Sequence, residues 1–111
     1  VYGNGFRQVL DARAVEGAAL RLRRNGDRIC PLGTSGSKSL SDYFTDRKID
    51  RPLRDRVPIL AKGREILWAV GVGISNLAAL TEHSEAVELT YIPKIDGGAR
   101  DDERPEGNSL R

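Results

Sequence analysis

The sequence predicts a mainly β domain with one short helix, an α+β arrangement, on three observations. Apolar and charged residues alternate over residues 18–24 and again over 86–92, the period of a half-buried strand. Two apolar runs, 57–61 and 65–70, flank Lys62-Gly63-Arg64, which reads as a β-hairpin. One capped, amphipathic stretch follows Ser39.

Taken in order, residues 1–17 are poor in core material. Phe6, Val9 and Leu10 offer at most one helical turn, and Gly3, Gly5 and Gly17 loosen both ends, so the segment reads as a linker. In the strand over 18–24, Leu20 and Leu22 face one side, Arg21 and Arg23 the other. Asn25-Gly26-Asp27 supplies a turn, because Asn-Gly accepts positive φ at little cost. Arg28-Ile29-Cys30 then reads as the partner strand of a hairpin, cut by Pro31.

The loop over 31–39 is rich in Gly and Ser and ends in Lys38-Ser39. A nucleotide-binding P-loop needs four residues between its glycines and Lys directly after the second. Only Thr34 and Ser35 separate Gly33 from Gly36, and Ser37 precedes Lys38, so that reading fails. Ser39 reads as an N-cap with Asp42 three residues on, and Leu40, Tyr43 and Phe44 follow at helical spacing. This places Lys38 at the helix mouth, where free N–H groups favour an anion, and Arg47 and Lys48 in the last turn. The alternative is an ordinary Gly/Ser turn capping a helix. Pro52 marks a further helical first turn with Leu53 as its inward anchor and Arg51, Arg54 and Arg56 outward. Near-continuous apolar character over 66–72 predicts a central strand covered on both faces, with Trp68 in the core. Residues 86–92 form the last strand, and 93–111 read as a disordered tail. The domain is therefore expected over 18–92.

At 111 residues the chain is one domain or a piece of a larger protein, and its lack of Met suggests a piece. No apolar run is long enough to span a membrane and none reads as a signal segment. Cys30 is the only cysteine, which predicts a buried thiol and a reducing compartment, here the cytoplasm. With one histidine, His83, expected in solvent, neither a zinc site nor a Cys–His nucleophile is in view. The net charge of +2 conceals an asymmetry. Residues 21–64 hold twelve basic and five acidic side chains, whereas 65–111 hold four and nine. Such a balance favours a polyanionic partner, or else describes a solvated face with ordinary salt links.

Several pieces in one order resemble the C-terminal domain of tRNA(Ile)-lysidine synthases, members of the PP-loop ATPase family. They are Gly26-Asp27-Arg28, Gly36-Ser37-Lys38-Ser39-Leu40, Phe44-x-Asp46-x-Lys48-Ile49, Arg54-Asp55-Arg56-Val57-Pro58-Ile59-Leu60 and Ile66-Leu67-Trp68-Ala69-Val70-Gly71. The resemblance implies a small β-sandwich like a domain of the phenylalanyl-tRNA synthetase β subunit. It also implies a parent ligase that joins L-lysine to the wobble cytidine of an isoleucine tRNA, consuming ATP with Mg. Catalysis would belong to an N-terminal domain with a Ser-Gly-Gly-x-Asp-Ser loop, which residues 33–37 do not match. This chain would then be inactive alone and hold no cofactor or metal. Its partners would be isoleucine tRNA and the enzyme's own catalytic domain.

A rigid basic surface can hold an A-form stem through phosphates and 2′-hydroxyls. Lys38, Arg47, Lys48, Arg51, Arg54 and Arg56 are the first candidates for it, with Arg23, Arg24 and Arg28 as a second rank. Asp55 is expected to hold a neighbouring Arg in an ion pair. The competing reading is a protein-interaction module, a homodimer included, whose basic face touches no RNA. An autonomous enzyme is the third, and it lacks a nucleophile–base pair.

Overall fold

The computed structural model describes residues 6–93. Its organising element is the strand β6 (Glu65–Ala69), where residues 66–70 are all buried. It pairs antiparallel with β5 (Ile59–Lys62) through a turn in which Gly63 has φ +57°, the predicted hairpin. A register shift between Leu60 and Ala61 bends β5. Outside β5 lies β2 (Ala19–Arg21), with Leu20 opposite Leu60. The other flank of β6 is shared by two short strands. β3 (Arg28–Ile29) runs parallel to it at Glu65 and Ile66, and β7 (Gly73–Ile74) runs antiparallel at Trp68 and Ala69. β4 (Lys38–Ser39) completes this sheet on β3.

The predicted hairpin over 18–30 does not form. β2 pairs with β5, and β3 pairs with β4 and β6, so the Asn25-Gly26 turn connects strands that are not neighbours. The alternation in β2 is also inverted. Leu20 and Leu22 are 53% and 54% exposed, while the Arg21 side chain is 13% exposed. The guanidinium goes inward because acceptors await it there: both oxygens of buried Asp27, and the Leu22 and Gly63 carbonyls.

The stretch 7–15, expected as part of a linker, carries regular structure instead. β1 (Arg7–Asp11) pairs along its whole length with β8 (Ala86–Thr90), forming a second, two-stranded sheet. Asp11 then caps α1 (Ala12–Val15), accepting from the Arg13 and Ala14 N–H groups, and it also accepts from Ser84 Oγ. At the open end of the ribbon Phe6 and Tyr91 meet edge to face, and the Tyr91 N–H donates to the Phe6 carbonyl at 2.7 Å. The tail expected beyond residue 93 lies outside the described residues.

The described residues form three short helices and a 3-10 turn (Asn76–Ala78), against one helix and a helical turn at Pro52 expected. The expected one is α2 (Leu40–Asp46), with the Asp42 N–H donating to Ser39 Oγ at 3.0 Å. Its buried face, Leu40, Tyr43 and Phe44, packs with Ile29, Ile59, Ala61, Ile66 and Ala69. Burial of a side chain such as Phe44, fully enclosed here, contributes about 2–3 kcal/mol. A second core joins Leu67, Trp68 and Val70 to Leu10 and Ala78, with Val87, Leu89 and Tyr91 against it. The central strand thus feeds both cores, as its composition predicts. α3 (Arg51–Arg54) has no buried residue, and Leu53, expected inward, is 51% exposed. Ile49 and Val57 on either side anchor it instead. Cys30 is buried and the His83 side chain is 89% exposed, both as the sequence suggests.

Candidate nucleic-acid interface

The turn between β2 and β3 is built on Asp27. Its Oδ2 accepts from the Arg24 N–H at 2.7 Å and from Arg21 Nη1 at 2.9 Å, and its Oδ1 accepts from Arg21 Nη2 at 2.8 Å. Burial alone would push this carboxyl up, but the Arg21 guanidinium and the Arg24 amide hold it below the usual carboxylate range. Asp27 holds Arg21 charged in return. The Leu40 N–H donates to the Asp27 carbonyl, which ties the turn to the start of α2. Gly26 holds φ +90°, a backbone conformation that favours glycine, and it packs beside the Arg64 guanidinium.

Around this turn opens a cleft of about 360 Å³, lined by Arg23, Arg24, Arg28, Asn25, Ser41 and Asp55 among others. Arg23 Nε donates to Asp55 Oδ1 at 2.8 Å, so the ion pair expected at Asp55 forms with Arg23 across the fold. Arg28 leans on Ser37, through Nε to Oγ and Nη2 to the carbonyl, each at 3.2 Å. The Arg24 side chain is exposed and makes no hydrogen bond or ion pair among the described residues.

The first-ranked candidates are more divided. Lys38 directly precedes the N-cap Ser39, but its ammonium pairs with Asp46 in the last turn of α2 and so is not free for an anion at the helix mouth. Arg47 donates to the Val72 carbonyl at 2.7 Å and lies over the Tyr43 ring. Arg54 donates to the Ile49 carbonyl and to Thr45 Oγ1, bracing the α2–α3 connection. Lys48, held at φ +58°, Arg51 and Arg56 are exposed and have no ion pair among the described residues. The structure therefore gathers Arg23, Arg24 and Arg28 at one cleft, commits Lys38, Arg47 and Arg54 to internal bonds, and leaves Lys48, Arg51 and Arg56 in solvent. Trp68, Tyr43 and Phe44 are buried and offer no face for base stacking.

A family model, the TilS substrate C-terminal domain, matches residues 18–91. The chain belongs to this family. A solved structure described as the crystal structure of a TilS C-terminal domain is 32% identical with a TM-score of 0.63, covering 81% of this chain and 72% of that one. The tRNA(Ile)-lysidine synthase of Caldanaerobacter subterraneus subsp. tengcongensis is 40% identical over 68 residues, 61% of this chain and 15% of that protein. That of Clostridium perfringens is 35% identical over 87 residues, 78% of this chain and 19% of that protein. The chain thus spans a fifth or less of the length of these relatives.

In this TilS C-terminal domain, the pieces that carry the resemblance have distinct physical tasks. Gly26-Asp27 shapes the arginine turn, Ser39-Leu40 starts and buries α2, and residues 66–70 supply the central strand. Arg21, Asp27 and Arg64 escaped selection as site residues. An arginine between two leucines in a short strand, with an aspartate six positions on, is the signal that could have exposed the buried pair. Among the described residues no cluster of His, Cys, Asp and Glu could hold a metal, and no helix is long and apolar enough to cross a membrane.

Proposed function

We propose that this chain is the RNA-binding accessory domain of a tRNA(Ile)-lysidine synthase and that it holds an isoleucine tRNA through phosphates. Family membership supports the parent enzyme, and the cleft ringed by Arg23, Arg24 and Arg28 is the observation that carries the binding role. Three guanidiniums on a turn fixed by buried bonds present donors in a set arrangement, which suits phosphate oxygens. Lys48, Arg51 and Arg56 add exposed positive charge on the α2–α3 side. With Tyr43, Phe44 and Trp68 buried, the rings nearest the basic segment favour recognition by backbone and shape over base stacking. ATP, Mg and L-lysine would be handled by the parent's N-terminal catalytic domain, which partners this one in the cytoplasm.

Titration of the 111-residue chain with an isoleucine tRNA transcript at several salt concentrations tests this. Binding should weaken steeply, with log K falling against log salt by several units if about five phosphates are engaged. Affinity indifferent to salt, or none at low salt, would remove the proposal. The dimer reading draws on one observation, the edge strand β2 with Leu20 and Leu22 exposed. Light scattering separates the two: a tight dimer that releases tRNA favours the interaction module.

A further inference from the structure

We infer that Asp27, clamped by Arg21, is a positioning residue that sets the arginine cleft for phosphate; the inference rests on the RNA-binding reading above. Asp27 is one of two buried polar residues in the described structure, the other being Ser75. An ion pair this enclosed is a poor source of stability, since an apolar pair of similar volume does as well or better. What it supplies is geometry. Through Arg21, Asp27 is tied to the Gly63 carbonyl on the β5–β6 turn and to the Leu22 carbonyl on its own segment. Through its Oδ2 it fixes the Arg24 backbone, and through its carbonyl the first residue of α2.

The turn itself and the start of α2, which make up most of the cleft, are thus referred to one carboxylate, while Asp55 closes it from the end of α3. Arg23 and Arg24 precede Asp27, Arg28 follows it, and Leu40 with Ser41 faces it from α2. Arg21 and Asp27 cancel each other's charge, so the field in the cleft comes from Arg23, Arg24 and Arg28, reduced by Asp55. Asp27 touches no ligand in this arrangement and acts by holding the backbone from which the arginines project.

A sign distinguishes positioning from plain electrostatics. Asp27→Asn deletes a negative charge beside three arginines, which on charge alone should tighten RNA binding. Positioning predicts the reverse. The full 111-residue chain is titrated with isoleucine tRNA transcript by fluorescence anisotropy at three salt concentrations, with circular dichroism melts run on each variant. Arg24→Ala serves as the control for direct contact and should lower the salt slope by about one unit. Asp27→Asn, still folded, should bind about tenfold more weakly with a slope at least about one unit lower. Unchanged or tighter binding by a folded Asp27→Asn overturns the inference, while the RNA-binding reading survives through the wild type and Arg24→Ala. A wild type that does not bind tRNA overturns both. Should Asp27→Asn fail to fold, the charge-neutral double variant Arg21→Met with Asp27→Leu decides. Folded and weakened, with the lower slope, it upholds the assignment; folded with wild-type binding, or unfolded, it overturns it.

Discussion

Residues 6–17 lie outside the matched family region, yet Leu10, Ala14 and Val15 belong to the second core, and removing the segment should show how much that matters. Leu10 is fully buried among Leu67, Trp68, Val70 and Ala78, and all five residues of β1 pair with β8. Truncating such a leucine to alanine costs about 2–5 kcal/mol, and the enclosed position argues for about 3. A domain this small holds about 5–15 kcal/mol in all, so the loss is a large share. With a urea m-value of about 1.5 kcal/mol per molar, Leu10→Ala should lower the unfolding midpoint by about 2 M. Trp68, the only tryptophan in the chain, sits in the same core and reports the transition by fluorescence. A chain starting at Ala18 should fare worse, since Val87, Leu89 and Trp68 lose the strand that covers them. If that shortened chain melts with the full-length midpoint, or if Leu10→Ala leaves the midpoint in place, β1 is not integral and the two-sheet description is wrong.

Three further outcomes are expected. Asp27 has its folded-state pKa lowered from 3.8, so its contribution to stability is complete above about pH 4 and is lost as pH falls through the folded value. Melting curves should show an acid decline that is shallower in a folded Asp27→Asn variant; identical declines would remove Asp27 as its source. Gly73→Ala places a methyl group on Tyr43 Oη, whose ring is packed below and whose neighbour Arg47 stands 3.6 Å from the new carbon. A loss of about 1–3 kcal/mol follows from such overpacking, and an unchanged melting temperature would contradict the Tyr43 placement. Asp55→Asn frees Arg23 from its ion pair at the cleft and should strengthen tRNA binding severalfold with a steeper salt slope; weaker binding would place the RNA elsewhere.

What could be read in advance was what local pattern encodes. The Ser39 cap, the apolar face of α2 and the hairpin around Gly63 each lie within a dozen residues, so spacing alone reveals them. β3, β4 and β7 are two residues long, too short to carry a period, and β2 finds its partner some forty positions away. The segment 7–11 has only Val9 and Leu10 as apolar anchors, and a strand that owes its existence to pairing with β8 looks like a linker. Charge counting found the basic region but could not divide it. Lys38 and Arg54 look as available in sequence as Arg24 or Arg51, and differ only because Asp46, Thr45 and the Ile49 carbonyl lie within their reach. The buried Arg21–Asp27 pair escaped for the opposite reason: strand alternation assigns arginine to solvent, and only the acceptors waiting inside reverse it.

The contact between Phe6 and Tyr91 has a mechanical consequence. Because the first and last described strands are antiparallel neighbours with their free ends together, any chain leading in and any chain leading out meet at one corner. A load applied there would peel the ribbon open one residue pair at a time, starting beside Arg7 and Thr90, instead of shearing all five pairs at once. The domain would yield at low force from that hinge, while the arginine turn, tied into the other sheet, kept its shape.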